Sequence, residues 1–389
     1  MQLPVPDKPA LEHSQRLCDR IRKAIRLNTG FIDFATYMNM AMYEPGLGYY
    51  SSGSRKLGAE GDFITAPEVS TLYTRCLARQ VSEILQMLEN PCILEPGPGS
   101  GEMCCNLLLY LEQIDCLPDR YLLLELSAEL RERQEKLVNT RIPHLAKLVT
   151  WLETLPKRKF SGIILVNEVL DAMPVHRFTM HGGEPFAYGV GFTNGEFDWR
   201  IADPEDSLKQ SVYERLDRDI HNLPDGYISE INTRIMPWLG SMADILEQGV
   251  MLLIDYGYPR QEYYHPQRTD GTLLCHYRHH VHSDPFFYPG LQDITASVDF
   301  TAVAEGAVAA GFQVAGYTTQ AHFLIGCGLD EVMETMQLSG DTERIDLANQ
   351  ARLLTMPGEM GERFKVIALV KGIEFPLTGF RFLDHRSRL

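Results

Sequence analysis

From residue 92 onward, short runs of apolar residues alternate with segments whose apolar positions recur every three or four residues. Such runs are typical of strands that are buried on both faces, and the longer spacing is typical of helices with one buried face. The runs are CILEP at 92–96, RYLLLEL at 120–126, KLVTW at 147–151, SGIILVN at 161–167 and GVMLLID at 249–255. Strands separated by helices predict an α/β fold with a parallel sheet covered on both faces.

Two segments interrupt this alternation. Residues 176–200 alternate apolar and polar positions and turn at Gly-Gly and Asn-Gly, which predicts antiparallel hairpins, and a helical stretch is expected over 206–247. The second interruption is a loop rich in Tyr, His and Pro at 256–298. An Ala-rich helix is then expected at 299–310, and the runs GFQVAGYTT and RFKVIALVKG predict a terminal antiparallel pair.

The chain before the α/β pattern has apolar positions at helical spacing over 11–27 and 34–43, and then a Gly-, Ser- and Tyr-rich loop at 44–70. Loops of this length are often functional lids. The predicted organisation is N-terminal helices and a lid loop at 1–90, a first part of the core at 91–175, a hairpin and helical insertion at 176–248, a second part of the core at 249–375 that includes the 256–298 loop, and a tail at 376–389.

The segment ILEPGPGSGEM places Gly97, Gly99 and Gly101 directly after the first predicted strand of the core. A dinucleotide fingerprint needs its third glycine one residue later, where Glu102 stands, and an acid there would repel a pyrophosphate. The phosphate-binding pattern GxxxxGK[ST] is absent. Glu95, just before the loop, favours a cationic ligand, and S-adenosylmethionine presents a sulfonium and an ammonium group. The glycines taken alone also fit a tight turn that holds no ligand.

A second acid, Glu125, ends the second predicted strand, where it would accept hydrogen bonds from ribose hydroxyls. The succession of strand, glycine loop, helix, strand and acid therefore favours a cofactor site over a simple turn. Trp151 ends the third predicted strand and either stacks on the adenine or belongs to the core. Asn167 ends the fourth and is assigned to the same cofactor site.

The run NEVLDAMP follows the fourth predicted strand, at the carboxyl end where open α/β sheets bind ligands. If the ligand is S-adenosylmethionine used as a methyl donor, the reaction is an in-line displacement, and the protein's main task is alignment, which supplies roughly 7–11 kcal/mol. We predict that Glu168 and Asp171 are catalytic and orient the acceptor. In the alternative, Asp171 caps a helix and Glu168 is solvated. Asp255 and Tyr256, at the end of the fifth predicted strand, are expected to contact substrate, with an ordinary turn acid as the alternative for Asp255.

Composition narrows the classes of partner. The formal charge of −16 argues against nucleic acid, and the eight cysteines, scattered without CxxC pairs, are typical of reduced cytosolic thiols. No signal or transit peptide is evident at the N-terminus, and no apolar run approaches membrane-spanning length. We therefore expect a cytoplasmic protein that acts neither on nucleic acid nor in a membrane.

Eight motifs carry a resemblance to a known family: GYY at 48–50, GDFITAPE at 61–68, LEPGPGSG at 94–101, LELSAEL at 124–130, NEVLDAMPV at 167–175, IDYGYP at 254–259, GTLLCHYRHH at 271–280 and PGLQDITASVDF at 289–300. The sequence resembles the class I S-adenosylmethionine-dependent methyltransferases, and within them the MidA-type branch. The mitochondrial member of that branch is the arginine methyltransferase that assists respiratory complex I assembly. Because no mitochondrial presequence is evident, a bacterial-like member is expected.

The resemblance implies a Rossmann-like seven-strand core with helical and β-hairpin insertions, S-adenosyl-L-methionine as cofactor, and a protein substrate whose arginine guanidino nitrogen is methylated. A homodimer is a further expectation. In the lid loop, Asp62, Phe63, Thr65 and Glu68 are expected to fold over the cofactor, with Asp62 and Thr65 assigned to substrate binding; a packed surface loop is the alternative. His279, Gln292 and Asp293 lie in family-like segments and are expected to contact substrate.

The spacing HxxHHxH over 276–282 matches none of the usual zinc patterns, so no metal is predicted. A non-catalytic assembly or scaffold protein with a methyltransferase fold is the main alternative function. A flavin or nicotinamide oxidoreductase is a weaker one.

Overall fold

The computed structural model describes residues 3–52, 66–336 and 340–389. Its strands are β1 (Cys92–Pro96), β2 (Arg120–Leu124), β3 (Val149–Leu152), β4 (Phe160–Asn167), β5 (His176–His181), β6 (Glu184–Thr193), β7 (Glu196–Ala202), β8 (Ile228–Ile231), β9 (Leu246–Tyr258), β10 (Leu274–Tyr277), β11 (His280–His282), β12 (Asp293–Thr295), β13 (Val298–Asp299), β14 (Gln313–Thr319) and β15 (Phe364–Lys371). Its α-helices are α1 (Lys8–Leu27), α2 (Phe34–Tyr43), α3 (Ala66–Val69), α4 (Thr71–Leu85), α5 (Glu102–Gln113), α6 (Ala128–Arg141), α7 (Asp206–Leu216), α8 (Ile235–Ile245), α9 (Arg260–Tyr263), α10 (Phe300–Ala309), α11 (Gln320–Gly326), α12 (Leu329–Thr335), α13 (Asp341–Thr355) and α14 (Met360–Arg363).

The chain folds into two compact units. The core unit comprises Ile64–Val169, Met236–Pro259 and Val298–Leu389. The insertion unit comprises Met1–Phe63, Leu170–Ile235 and Arg260–Ser297. Among the residues that the structure describes, every helix is too short or too polar to cross a lipid bilayer.

The core unit is built on a sheet with the strand order β14-β15-β9-β4-β1-β2-β3, to which β13 adds beside β9. Neighbours from β9 to β3 are parallel, whereas β15 runs antiparallel to both β9 and β14. The seven strands of this path and the terminal antiparallel pair agree with the sequence prediction. Because β2 and β4 lie on opposite sides of β1, the strand order reverses between β1 and β4. A crevice at the carboxyl ends of the strands forms at such a switch point and is where open α/β sheets bind ligands.

Continuous apolar runs in the central strands are explained by burial on both faces. All five residues of β1 are buried, and Ile163 and Leu165 of β4 have no exposed surface. Helices α4 and α5 pack their apolar positions, including Leu77 and Leu108, into the same core cluster. The cluster extends to Phe380, so part of the predicted 376–389 tail belongs to the hydrophobic core.

The insertion unit contains two antiparallel sheets, with the strand orders β7-β6-β5-β8 and β11-β10-β12. The hairpins predicted over 176–200 are present as β5, β6 and β7. Helix α1 packs Leu17, Ile21 and Ile25, which recur at helical spacing, into the core of this unit. The side chain of Asp7 accepts a hydrogen bond from the first turn of α1, and Asp33 does the same for α2.

Two of the predictions for the insertions were wrong. The helical stretch expected over 206–247 contains β8, and the loop expected over 256–298 contains β10, β11 and β12. These strands are only three or four residues long, too short to show a period of their own. The partner of β8 is β5, about fifty residues earlier in the chain, so a local pattern does not reveal the pairing.

A buried ion pair lies inside the insertion unit. The Nε of Arg177 donates to Oε1 of Glu230 at 3.0 Å, and the arginine is 7% exposed while the glutamate has no exposed surface. Oε2 of Glu230 also accepts from the backbone N–H of Thr272 at 2.8 Å and from its hydroxyl at 3.1 Å. The guanidinium of Arg177 lies 4.7 Å from the ring centre of Trp199. The charge on Glu230 is thus compensated by a counter-ion and by two further donors.

Candidate active site

The glycine loop between β1 and α5 lies at the carboxyl end of β1. Gly97, Gly99 and Gly101 have φ angles of 65°, 55° and 82°, in the left-handed region that glycine adopts without a steric penalty. The N–H of Gly97 donates to the carbonyl of Leu124 at 3.0 Å, which joins the loop to the end of β2. A Cβ on Gly97 would stand 3.2 Å from Val169 Cγ2. The loop is therefore closely packed as well as tightly turned.

Glu95 precedes this loop and is 2% exposed. Its Oε2 accepts a hydrogen bond from the hydroxyl of Tyr121 at 2.6 Å. Burial raises the pKa of Glu95 to about 8, although the bond from Tyr121 acts in the opposite direction. The carboxyl is consequently protonated at neutral pH when no cation is near it. A cationic ligand would favour its ionised form, which is the role that the sequence predicts for it.

Glu125 follows β2 and is 8% exposed. Its Oε1 accepts from the backbone N–H of Ser127 at 2.7 Å, and Ser127 in turn caps α6 by accepting from the N–H of Leu130. Its Oε2 accepts from Nε2 of Gln134 at 3.1 Å. A carboxylate can accept about four hydrogen bonds, and these two contacts fix its orientation.

Gln134 of α6 joins three of the predicted cofactor residues, and the sequence analysis did not single it out. Besides its bond to Glu125, its Nε2 donates to the carbonyl of Gly99 at 2.8 Å. Its Oε1 accepts from the indole N–H of Trp151 at 3.0 Å. Trp151 is half-buried and packs against the core cluster, so the structure supports a core role for its ring and adds a polar contact at its edge.

Asn167 ends β4 and Glu168 follows it, on the other side of the switch point from β2. The Oδ1 of Asn167 accepts from the hydroxyl of Tyr73 at 2.8 Å, and its Nδ2 donates to Oε1 of Glu168 at 3.0 Å. Glu168 has a φ of 53°, an unfavourable value for a residue with a side chain, and its N–H donates to the carbonyl of Ile254 at 2.9 Å. Backbone strain of this kind is frequent at functional sites. Glu168 is half-buried and accepts a hydrogen bond from Asn167, so its side chain is only partly solvated.

Asp255 and Tyr256 lie in β9, next to β4 in the sheet. Asp255 has no exposed surface, and its Oδ1 accepts from the N–H of Tyr256 at 2.9 Å. The ring of Tyr256 packs edge-on against Phe364 of β15 at 5.7 Å. Because β9 continues to Tyr258, Asp255 belongs to a strand and is not an ordinary turn acid.

Asp171 and Asp293 lie in the insertion unit, each with at most 5% of its surface exposed. Asp171 stands in a turn whose next element is β5, so it does not cap a helix. The hydroxyl of Tyr50 is 3.3 Å from both carboxylate oxygens of Asp293, and its ring stacks on that of Tyr43 at 5.6 Å. Burial, and then the charges of Asp293 and Asp171 among its neighbours, raise the pKa of Tyr50. We call these four side chains the acid–tyrosine cluster.

The remaining predicted site residues do not belong to the acid–tyrosine cluster or to the groups at the strand ends described above. His279 is exposed at the turn between β10 and β11, where it and Arg278 both have positive φ. Gln292 is buried, and its Nε2 donates to the carbonyls of Asp284 and Pro285, so it holds a loop in place. Asp62 and Thr65 lie outside the described residues. Among the side chains that the structure describes, no group of three His, Cys, Asp or Glu could hold a metal ion.

The donor set at the carboxyl ends of β1 and β2 fits S-adenosyl-L-methionine. A glycine loop permits close approach of the ligand, Glu125 offers oriented acceptors for hydroxyl groups, and Glu95 offers a carboxyl that a cation would ionise. Glu102, the acid that the sequence analysis expected to repel a pyrophosphate, lies in the first turn of α5 and forms an ion pair with Arg141.

Comparison with known proteins agrees with this chemistry. The sequence profile of a family described as "Putative S-adenosyl-L-methionine-dependent methyltransferase" matches residues 76–318, more than half of the chain. Proteins named mitochondrial protein arginine methyltransferase NDUFAF7, from Danio rerio and Bos taurus, are 28% and 29% identical to this chain. The alignments cover 92% and 88% of this chain, and 90% and 81% of those relatives.

Solved structures give the same result over the whole chain. A protein from Burkholderia thailandensis, crystallised with S-adenosyl-homocysteine, is 38% identical, with a TM-score of 0.94 and complete coverage of both chains. A native crystal structure of a protein from the same organism has a TM-score of 0.92 at 38% identity and the same coverage. These findings confirm the predicted fold and the predicted cofactor, S-adenosyl-L-methionine.

Proposed function

Because this chain belongs to the MidA-type family of S-adenosyl-L-methionine-dependent methyltransferases, we propose that it methylates a guanidino nitrogen of an arginine in a protein substrate. The relatives that carry the name protein arginine methyltransferase support this acceptor. The observation on which the proposal mainly depends is Glu168, an acid held at φ 53° at the switch point of the sheet and hydrogen-bonded by Asn167. The cytoplasmic location and the homodimer stay predictions.

The cofactor site of the proposal consists of the glycine loop, Glu125 and Glu95. When bound, S-adenosylmethionine would supply an electrophilic methyl group: the acceptor nitrogen would bond to the methyl carbon as the carbon–sulfur bond breaks, with S-adenosylhomocysteine as the leaving group. Glu125 would accept from the ribose hydroxyls, because it follows β2 and is oriented by Ser127 and Gln134. The ionised form of Glu95 would offset the positive charge of the ligand.

Arginine is a demanding acceptor because its guanidinium, with a pKa above about 12, delocalises the lone pairs that the reaction needs. A carboxylate hydrogen-bonded to one edge of the guanidinium draws the positive charge to that edge. The nitrogen on the other edge then becomes more nucleophilic. Glu168 would perform this task, and the proton that the methylated nitrogen releases on the other edge would pass to water.

The acid–tyrosine cluster supplies a second set of groups suited to arginine. Carboxylates pair with guanidinium through charge-assisted hydrogen bonds, and aromatic rings stack on its planar face. Asp171, Asp293 and the stacked rings of Tyr43 and Tyr50 combine both features. We propose that these side chains bind the acceptor segment of the protein substrate.

Methyl transfer from tritiated S-adenosylmethionine to proteins of a cell lysate, followed by mass spectrometry of the labelled residue, tests the proposal. Glu168→Gln should lower the labelling rate about 100- to 1,000-fold, the usual effect of removing a positioned acid or base. Glu247→Gln is the matched control, because Glu247 is exposed at the opposite end of β9 and should label like the unchanged chain.

Each outcome separates the competing functions. Label on arginine that depends on Glu168 supports the proposal, and label on another residue type contradicts the acceptor. A chain that binds S-adenosylhomocysteine but labels no protein would instead be the non-catalytic assembly protein.

A further inference from the structure

The amide of Gln134 can be oriented in only one way. The indole N–H of Trp151 is a donor, so it must face the amide oxygen, while the carbonyl of Gly99 and the carboxylate of Glu125 are acceptors and must face the NH₂ group. Both hydrogens and the oxygen of the amide are therefore used. Of the side chains of this length, only glutamine offers an acceptor and two donors in this arrangement.

Gly101 allows this side chain to approach the loop. A Cβ on Gly101 would stand 3.2 Å from Cγ and 3.5 Å from Cβ of Gln134. Gly101 also has a φ of 82°, which a larger residue adopts only with strain. The missing side chain at 101 thus makes room for Gln134, and Gln134 has no exposed surface as a result.

We propose that Gln134 is a positioning residue for the cofactor, which sets the orientation of Glu125 so that its carboxylate binds the ribose hydroxyls. This inference rests on the proposed placement of the ribose at Glu125. Gln134 acts through three elements at once, since it is bonded to the loop after β1, the acid after β2 and the tryptophan of β3. It does not need to touch the cofactor itself.

Calorimetric titration with S-adenosylhomocysteine and with its 2′,3′-dideoxyribose analogue measures this role. The ratio of the two dissociation constants reports the hydrogen bonds to the ribose, and partial unfolding of a variant does not change it. In the unchanged chain the ratio should be about tenfold to a hundredfold, as expected for hydrogen bonds to a charged group. In Gln134→Met, which keeps the volume and removes the polar contacts, it should fall below about threefold.

Gln320→Met is the matched control. Gln320 is also fully buried on a helix of the core unit, where its Nε2 donates to the carbonyl of Leu354 at 3.1 Å. This variant loses a buried glutamine without touching the loop, so it should keep the ratio of the unchanged chain.

The variant Gln134→Glu gives a second measurement, the pH dependence of S-adenosylhomocysteine binding, which a purely structural role of Gln134 would leave unchanged. At pH 8 the new carboxylate would face Glu125 and the carbonyl of Gly99, and the repulsion should weaken binding of S-adenosylhomocysteine. At lower pH, protonation of the introduced carboxyl would let this side chain donate a hydrogen bond again. Relative to the unchanged chain at each pH, affinity should recover at the lower pH by about tenfold.

The outcomes distinguish two kinds of failure. If Gln134→Met keeps the full ratio while Glu125→Gln loses it, Gln134 has only a structural role and the inference is wrong. If the unchanged chain shows no preference for the ribose form, or if Glu125→Gln retains that preference, then the placement of the cofactor is wrong and the inference falls with it.

Discussion

Glu95 in the core unit and Glu230 in the insertion unit are both glutamates with almost no exposed surface, but their surroundings differ. Glu230 accepts from Arg177 and from two groups of Thr272. Glu95 accepts a hydrogen bond from the neutral hydroxyl of Tyr121, and burial raises its pKa to about 8. The charge of Glu230 is stabilised within the protein, whereas ionisation of Glu95 is unfavourable until a cation arrives.

The difference between these two residues teaches how to separate a structural acid from a functional one. Both glutamates are buried, so burial by itself does not distinguish a structural acid from a functional one. The difference lies in the groups around each carboxylate: Glu230 is bonded to an arginine of its own unit, whereas Glu95 is bonded to a neutral hydroxyl and burial raises its pKa, which suits it to respond to a cationic ligand.

The largest effect is expected from breaking the ion pair of the insertion unit. Arg177→Met leaves Glu230 without its counter-ion, which should lower the free energy of unfolding by about 3–5 kcal/mol. Chemical denaturation at pH 7 measures it. Arg200→Met is the control, because Arg200 pairs with Asp198 at 2.9 Å on the exposed face of β7 and should lose less than about 1 kcal/mol. Equal losses in the two variants would contradict the structural role of the buried pair.

A smaller effect, on binding, is expected from the glycine loop. Gly99→Val places a branched side chain where φ is 55° and where the cofactor approaches, so affinity for S-adenosylhomocysteine should fall at least about a hundredfold, or roughly 2.7 kcal/mol. Calorimetry measures it. Gly182→Val carries similar backbone strain, with φ 58° in the turn between β5 and β6 and open space around it, and should keep full affinity. Unchanged binding in Gly99→Val would contradict the assignment of the glycine loop to the cofactor site.

The smallest effect concerns the protonation of Glu95. With a pKa of about 8 in the free protein and a lower pKa beside the bound cation, Glu95 must release a proton on binding. Affinity for S-adenosylmethionine should therefore rise with pH from 6 to about 8, by at most about tenfold per unit, and then level off. In Glu95→Gln the part of this dependence that comes from Glu95 should vanish, so the profile that remains reports the titration of the ligand's own amino group and can be subtracted.

Calorimetry in buffers of different ionisation enthalpy counts the released proton directly. Near pH 7 the unchanged chain should release up to about one proton more than Glu95→Gln. The same proton release from both chains would show that Glu95 does not respond to the ligand and would remove the contrast with Glu230.

The sequence predicted the elements that are encoded locally. A strand such as SGIILVN is apolar because both of its faces are buried, and the glycine loop and Glu125 follow their strands directly. Patterns of this kind therefore located the strands of the core sheet, the glycine loop and the acids at strand ends. The same logic placed Glu168 at the switch point, where the structure adds the strained backbone.

Only the tertiary structure decided which polar side chains become buried partners. Gln134 stands in the run RERQEKL, which is typical of a solvated helix face, and it is buried because α6 packs on a glycine. Tyr121, Tyr50 and Glu230 likewise gain their partners from segments 26 to 243 residues away. Hydrophobic periodicity is a property of neighbouring residues in the chain, and the compensation of a buried charge is a property of neighbours in space. The sequence by itself therefore determined the sheet and its loops, and the fold determined which of the acids has a counter-ion.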